Sequence, residues 1–274
     1  MIIVCIAREM GSFGDEIGQK VAGMLGGPLL DKAFFEKRCS EFGADAKTLE
    51  RYDEKKPGFF ASFSADQDLY LHMLKGVLFQ EALKSSCVVL GRGGNYLLKP
   101  LPNCLRIKVV APRELRIARV ATHFNCTEEE ATKKVNQSDR DRAGFHHYHF
   151  NLDWRDNSAY HAILNTECLD VENAAAIIKN LCDRLITPAA EQTGATMLKN
   201  RIIAQEIAKK ILFEKELSIQ FLEVQCKEGK ATLFGVTGSE VLCRQAKEAA
   251  QEIEGVKEVE NRIQVIREQP FRRM

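Results

Sequence analysis

The sequence predicts an α/β chain: a doubly wound, mostly parallel sheet with helices on both faces, followed by a smaller α+β unit. Two observations carry this. Short, fully apolar segments alternate with helical patterns over the first 186 residues, as expected where both faces of a parallel sheet are covered. After a change of composition at Thr187–Gly194, about 75 residues read in the order α-β-β-α-β.

Ile2–Ala7 is continuously apolar and β-branched, which predicts a buried strand. Arg8-Glu9-Met10-Gly11-Ser12-Phe13-Gly14 follows, and a helix is predicted over 15–25 with Ile17, Val21, Met24 and Leu25 on one face. Gly26-Gly27-Pro28 stops it, and Leu29-Leu30-Asp31 predicts a short second strand. Helices are predicted over 33–42 and 66–84, with a loop over 52–65. Cys87–Leu90 and Leu105–Val110 read as buried strands, the first leading into Gly91-Arg92-Gly93-Gly94 and the second into Ala111-Pro112. Helices are predicted over 113–122, 127–137 and 172–186, with a long polar loop at 138–157. Pro, Gly and small polar residues around 187–194 predict a linker. Domains are therefore expected at 1–188 and 196–268, joined by 189–195. In the second, helix 196–213, strands 218–227 and 230–237, helix 239–254 and strand 256–267 are predicted.

Composition excludes several classes. Of 274 residues, 45% are apolar and 28% charged, the mix of an ordinary globular protein. Net charge is +1, and residues 196–274 hold 14 basic and 12 acidic side chains, leaving 25 and 26 elsewhere. Neither part has the positive excess expected of a nucleic-acid or anionic-membrane binder. Nine scattered cysteines with no C-x-x-C pair predict a reducing compartment and buried, inert thiols. No apolar run approaches the ~20 residues that span a bilayer, so a cytoplasmic chain without an integral membrane segment is expected.

Strand, glycine loop and helix in the first 25 residues form a phosphate-binding geometry, because amides at a helix start point at an anion. The match to G-x-x-x-x-G-K-[ST] is poor: the lysine position is Gly14 and the Ser/Thr position Asp15. Asp15-Glu16 serves either as a helix cap or to help hold Mg²⁺, with Arg8 or Lys20 supplying the missing cation. Of these two, Arg8 is favoured because it leaves the strand just before the loop. Arg92 follows a strand end, where α/β sheets bind ligands, and suits a phosphate or carboxylate. Arg140 and Arg142, in Ser138-Asp139-Arg140-Asp141-Arg142, can converge on phosphates if the backbone is extended or both lie at a helix end. His146, His147, His149 and Asp153 read as polar lid residues rather than a metal site, since no second Cys or His cluster accompanies them.

Together these segments resemble the cytidylate kinase-like family of P-loop nucleoside monophosphate kinases. The resemblance runs through Ile6–Ser12, Pro28–Lys32, Val89–Leu98, Val110-Ala111-Pro112 with Arg116 and Arg119, Asp139–Arg142, and Leu152–Asp156 through Tyr160 to Leu164–Thr166. It implies a P-loop doubly wound sheet, an ATP site with Mg²⁺, a monophosphate site and an arginine-bearing lid. By the same resemblance Gly11, Ser12 and Gly14, beside Asp15, line the ATP phosphates. Arg92 holds the acceptor phosphate, Asp31 lies on the acceptor side, and Arg140 and Arg142 close over the transferring group. Cytidylate kinases proper carry the loop lysine, an aspartate where Gly93 stands, and Ser and Arg where Lys32 and Lys37 stand. Residues 196–268 resemble a BON domain, marked by Gly229–Gly235 and Gly255–Asn261, which implies ligand binding or self-association.

Overall fold

The computed structural model describes residues 1–41 and 65–266. The loop expected over 52–65 lies, up to residue 64, outside them. The chain divides into two compact units, Met1–Ala195 and Thr196–Met274.

In the first unit five strands form one parallel sheet: β1 (Ile3–Arg8), β2 (Leu29–Leu30), β3 (Cys87–Leu90), β4 (Cys104–Val110) and β5 (Ala162–Asn165). Their spatial order is β2-β3-β1-β4-β5. The central β1 is flanked by β3 on one side and β4 on the other, so the chain changes direction across the sheet there. At such a switch point the strand ends diverge and leave a crevice. The helices between the strands are α1 (Gly14–Leu25), α2 (Lys32–Glu41), α3 (Ala65–Lys84), the short α4 (Gly94–Leu97), α5 (Arg113–Phe124) and α6 (Glu128–Phe150), and α7 (Val171–Leu185) follows β5.

The apolar runs of β1, β3 and β4 are almost wholly buried, with Ile3, Val4, Val88, Val89 and Ile107 at 0% exposure. Ile17 and Val21 of α1 and Ala174 and Ile178 of α7 close one layer of this core. Met24, expected on the same face, is among the exposed residues. Cys5, Cys39, Cys87, Cys104 and Cys182 are buried thiols.

Two sequence expectations fail. The polar loop expected from residue 138 is helix as far as Phe150. Thr127 and Glu130 form a capping box at its start, and pairs such as Lys133–Glu129 and Gln137–Asp141 line its surface. A polar helix of this kind is held by caps and i, i+4 contacts, leaving no apolar period to read. The linker expected at 189–195 is also helical, within α8 (Pro188–Lys209). Pro188 sits at the first helical position, where a missing N–H costs nothing. Gly194 marks a close approach and not a turn: a Cβ there would lie 1.9 Å from Asn103 Oδ1.

The second unit continues from α8 through a π turn at Lys210–Glu214 into β6 (Gln220–Lys227), β7 (Lys230–Thr237), α9 (Glu240–Gln251) and β8 (Glu258–Val265). Its sheet order is β6-β7-β8, with β6 antiparallel and β8 parallel to β7. Ile207, Ile211, Leu233, Ala246, Ala250 and Ile263 pack together as its core. Gly229, at φ +87°, makes the tight turn between β6 and β7.

Candidate active site

The loop between β1 and α1 is shaped by three close approaches. Gly11 has φ +79°, and a Cβ there would come within 2.7 Å of the Arg116 carbonyl oxygen. Phe13 takes a left-handed conformation, and its ring lies 4.0 Å from the Arg119 guanidinium. Gly14 opens α1 with no side-chain cap, which leaves first-turn amides without intrahelical partners. A Cβ on Gly14 would lie 2.3 Å from Arg8 Cβ, so the Arg8 side chain runs across the helix start. Its Nε donates to Asp15 Oδ1 at 3.0 Å. Lys20, the other candidate cation, is paired with Glu172 at 2.7 Å and does not line the cleft formed by Arg8.

That cleft, about 620 Å³, is lined by Arg8, Arg92, Arg140 and Arg142 together. The four arginines come from the end of β1, the loop after β3 and the helix α6. Lys32, Lys133 and Lys134 also line it, against a single carboxylate among the described residues, Asp141. Arg92 is 4% exposed, at φ +55° between two left-handed glycines, and its Nη1 donates to the Tyr70 hydroxyl at 3.3 Å. A non-glycine residue held in that region stores strain of the kind that clusters at binding sites. Arg140 and Arg142 do not sit on extended backbone or at a helix end, as their convergence was expected to need. They lie within α6, and both border the cleft from the helix surface. Arg140 donates to Gln137 Oε1 at 2.7 Å, and Arg142 Nη1 donates to Ser138 Oγ.

Two expected ligand residues do other work. Ser12 is fully buried, and its hydroxyl donates to the carbonyls of Glu9 and Val109 at 2.8 and 3.2 Å. Its amide donates to Glu9 as well, so Ser12 braces the loop from inside and turns no donor toward a phosphate. Asp31 Oδ1 accepts the Phe34 amide at 2.9 Å and caps α2; its neighbour Lys32, not Asp31, lines the cleft.

Sequence reasoning assigned no role to the ion network behind the cleft. Arg116, 5% exposed, forks onto Asp139 at 3.0 and 2.9 Å and approaches Glu9 at 3.5 Å. Burial works against its charge, but Asp139 and Glu9 outweigh that and raise its pKa. Arg116 thereby ties α6, next to Arg140 and Arg142, to the loop after β1. Arg119 bonds the carbonyls of Gly11 and Thr166 at 3.2 and 2.7 Å. The signal available was the pair at i, i+3 opening a helix just after Ala111-Pro112.

The histidines fall in an aromatic cluster. His149 lies 4.6 Å from the Phe145 ring and 6.1 Å from Tyr70, and neither of its nitrogens has a hydrogen-bond partner among the described residues. Burial, with His146 second, pushes its pKa down to about 4. No group of three or more His, Cys, Asp or Glu is disposed to hold a metal ion among the described residues.

Residues 3–168, more than half of the chain, match the model of the cytidylate kinase-like family. The chain belongs to that family. Residues 199–267 match the BON domain. Two cytidylate kinases, from Pyrobaculum islandicum and Pyrobaculum neutrophilum, are 22% and 23% identical over 179 residues, covering 65% of this chain and 90% of each relative. A solved structure of an uncharacterized protein from Eubacterium ventriosum superposes with a TM-score of 0.54 at 22% identity, covering 67% of this chain and 99% of that one. It supports the fold of the kinase-like unit. A kinase-like family member thus carries a cationic cleft at its strand ends, without the loop lysine. No helix among the described residues is long and apolar enough to cross a membrane.

Proposed function

We propose that the chain transfers a phosphoryl group from ATP to a small phosphorylated or carboxylated acceptor, the family's own class being a nucleoside monophosphate such as CMP. The observation that carries this is the meeting of Arg8, Arg92, Arg140 and Arg142 on one cleft at the switch point of the sheet. Phosphoryl transfer asks mainly for positioning and charge neutralisation. Arg8 covers the uncapped start of α1 and stands in for the absent lysine, holding the polyphosphate from the strand side. Arg92, fixed by its backbone and by Tyr70, orients the acceptor anion. Arg140 and Arg142 approach from α6 and exclude water as they close on the transferring group.

The donors present fit a polyphosphate: guanidinium and ammonium groups surround the cleft, and glycine at position 14 lets the Arg8 side chain lie against the start of α1. Asp15 is the carboxylate at the helix start that would contact Mg²⁺ carried in with the nucleotide, although it is paired with Arg8 here. When bound, Mg²⁺ neutralises charge on the phosphate oxygens. The Ser12 hydroxyl is not available for that contact.

A second reading is favoured by Gly14: the chain binds nucleotide without catalysis and signals through its BON domain. A coupled assay with ATP and a panel of monophosphates separates the two. Turnover above the ATPase background with one acceptor supports transfer and excludes the second reading. ATP binding by calorimetry with no turnover of any acceptor supports the second reading and ends the first. The BON domain is proposed to bind a small ligand or a second copy of the chain, and the chain to work in the cytoplasm.

A further inference from the structure

We infer that Lys108 is a positioning residue for the arginines of α6, acting through Trp154 and His146. Lys108 stands on β4 in register with Ala7 of β1 and Ile163 of β5. It is buried, and its ammonium lies over two rings, 5.0 Å from the centre of Trp154 and 5.5 Å from that of Tyr160. Among the described residues the ammonium makes no hydrogen bond or ion pair. Burial lowers its pKa, while Glu9 and Asp153 favour the charge and Arg155 opposes it. A buried cation held in this way is costly, and an apolar side chain of the same length would fill the space as well. What the charge adds is direction, because a cation draws an aromatic ring face-on toward itself.

The ring so held leads to α6. Trp154 is buried and stacks on His146, with centroids 6.4 Å apart and planes 28° from parallel. His146 is buried as well, and its Nδ1 lies 2.9 Å from the Arg142 carbonyl oxygen one turn earlier. The loop that carries Trp154 is closed by the Tyr160 hydroxyl, which donates to the Trp154 carbonyl at 2.9 Å. Asp139 ties α6 to Arg116 just before Arg140 and Arg142, and His146 ties it to Trp154 just after them. Asp139 and His146 lie two turns apart on one face of the helix. A helix held at one point can pivot; the second tie fixes its tilt, and with it the height of both arginines over the cleft.

Only the expected effect on turnover rests on the proposed function; the placement of α6 does not. The test compares the native full chain with Lys108→Met, which keeps the length and removes the charge, and with Lys108→Arg, which keeps the charge. Trp154 is the sole tryptophan of the chain, so acrylamide quenching of its emission reports whether the ring stays in place. Lys108→Met is expected to keep the native thermal midpoint, to raise the quenching constant severalfold and to speed amide exchange severalfold over residues 138–154. Lys108→Arg is expected to restore both. Where the native chain turns over an acceptor, kcat should fall severalfold in Lys108→Met with KM unchanged, and recover in Lys108→Arg. Native quenching and exchange in Lys108→Met, or an unaltered kcat, would overturn the inference. So would a lowered midpoint with faster exchange throughout the chain, because the side chain would then be an ordinary part of the core. Failure of Lys108→Arg to restore the native values would overturn it too, since shape and not charge would hold the ring. If quenching and exchange change as expected in a chain that turns over no acceptor, the placement of α6 by Lys108 stands and phosphoryl transfer is excluded.

Discussion

Arg8 and Gly14 are one device. The arginine side chain lies where any Cβ at position 14 would have to go, so in the proposed function the cation comes from the strand instead of the helix. Reinstating a lysine at position 14 would force a clash costing about 1–3 kcal/mol. If Arg8 holds the ATP phosphates as proposed, Arg8→Ala is expected to weaken ATP binding about 10–100-fold, the equivalent of roughly 1.5–3 kcal/mol. Titration of the variant with nucleotide checks this, and an unchanged Kd would contradict the assignment. His149 supplies a pH-dependent term. Its folded pKa is about 4 against an ordinary value of 6.5, because burial, with His146 second, disfavours the charged ring. Between those values the unfolded chain binds the proton and the folded chain does not, so stability is lost as pH falls from about 6.5 toward 4. For this part-buried ring the loss is about 2 kcal/mol. Urea midpoints across that range should fall in the native protein and fall less in His149→Phe. Parallel curves for the two would remove His149 as the cause.

The element that brings the arginines in is α6, and Asp139 holds it. Its carboxylate takes both arms of Arg116, an α5 residue whose guanidinium also reaches Glu9 in the loop after β1. Asp139→Ala leaves a buried guanidinium with only long contacts, to Glu9 and the Met10 carbonyl, each at 3.5 Å, and should lower stability by about 2–3 kcal/mol. In an active enzyme the same change should lower kcat, because Arg140 and Arg142, proposed to close on the transferring group, lose their register with the loop. A midpoint and kcat both equal to the native values would show that α6 is placed by other contacts. The extent of α6 was not legible in the sequence. Its buried residues, Ala131, Val135, Phe145 and His146, are too widely spaced to form a stripe, and the polar run at 138–149 reads as a loop when its i, i+4 partners are not counted. The helix at 188–209 escaped for the opposite reason: Pro188 and Gly194 read as breakers, yet one starts the helix and the other lets it pack.

Across the molecule, burial decides which thiols can react. Desolvation pushes Cys87 up to about 12 and Cys39 and Cys182 to about 11. Cys168 is the exposed thiol of the nine. A colorimetric thiol titration of the native protein should therefore show about one fast-reacting group, and all nine after denaturation. Several fast thiols in the native state would mean that the sheet opens far more readily than its packing implies.

The apolar runs at 2–7, 87–90 and 105–110 were enough to predict buried parallel strands, and the glycine loops after two of them marked where a ligand could bind, because both signals are local. Which side chains meet there is a matter of strand order. β1 had to lie between β3 and β4 before Arg8 and Arg92 could share a cleft. Only the packed molecule turns Ser12 inward, gives Asp31 to a helix cap and sets Arg8 across Gly14. Those outcomes depend on atoms brought together from distant parts of the chain, and no local pattern of residues encodes such distances.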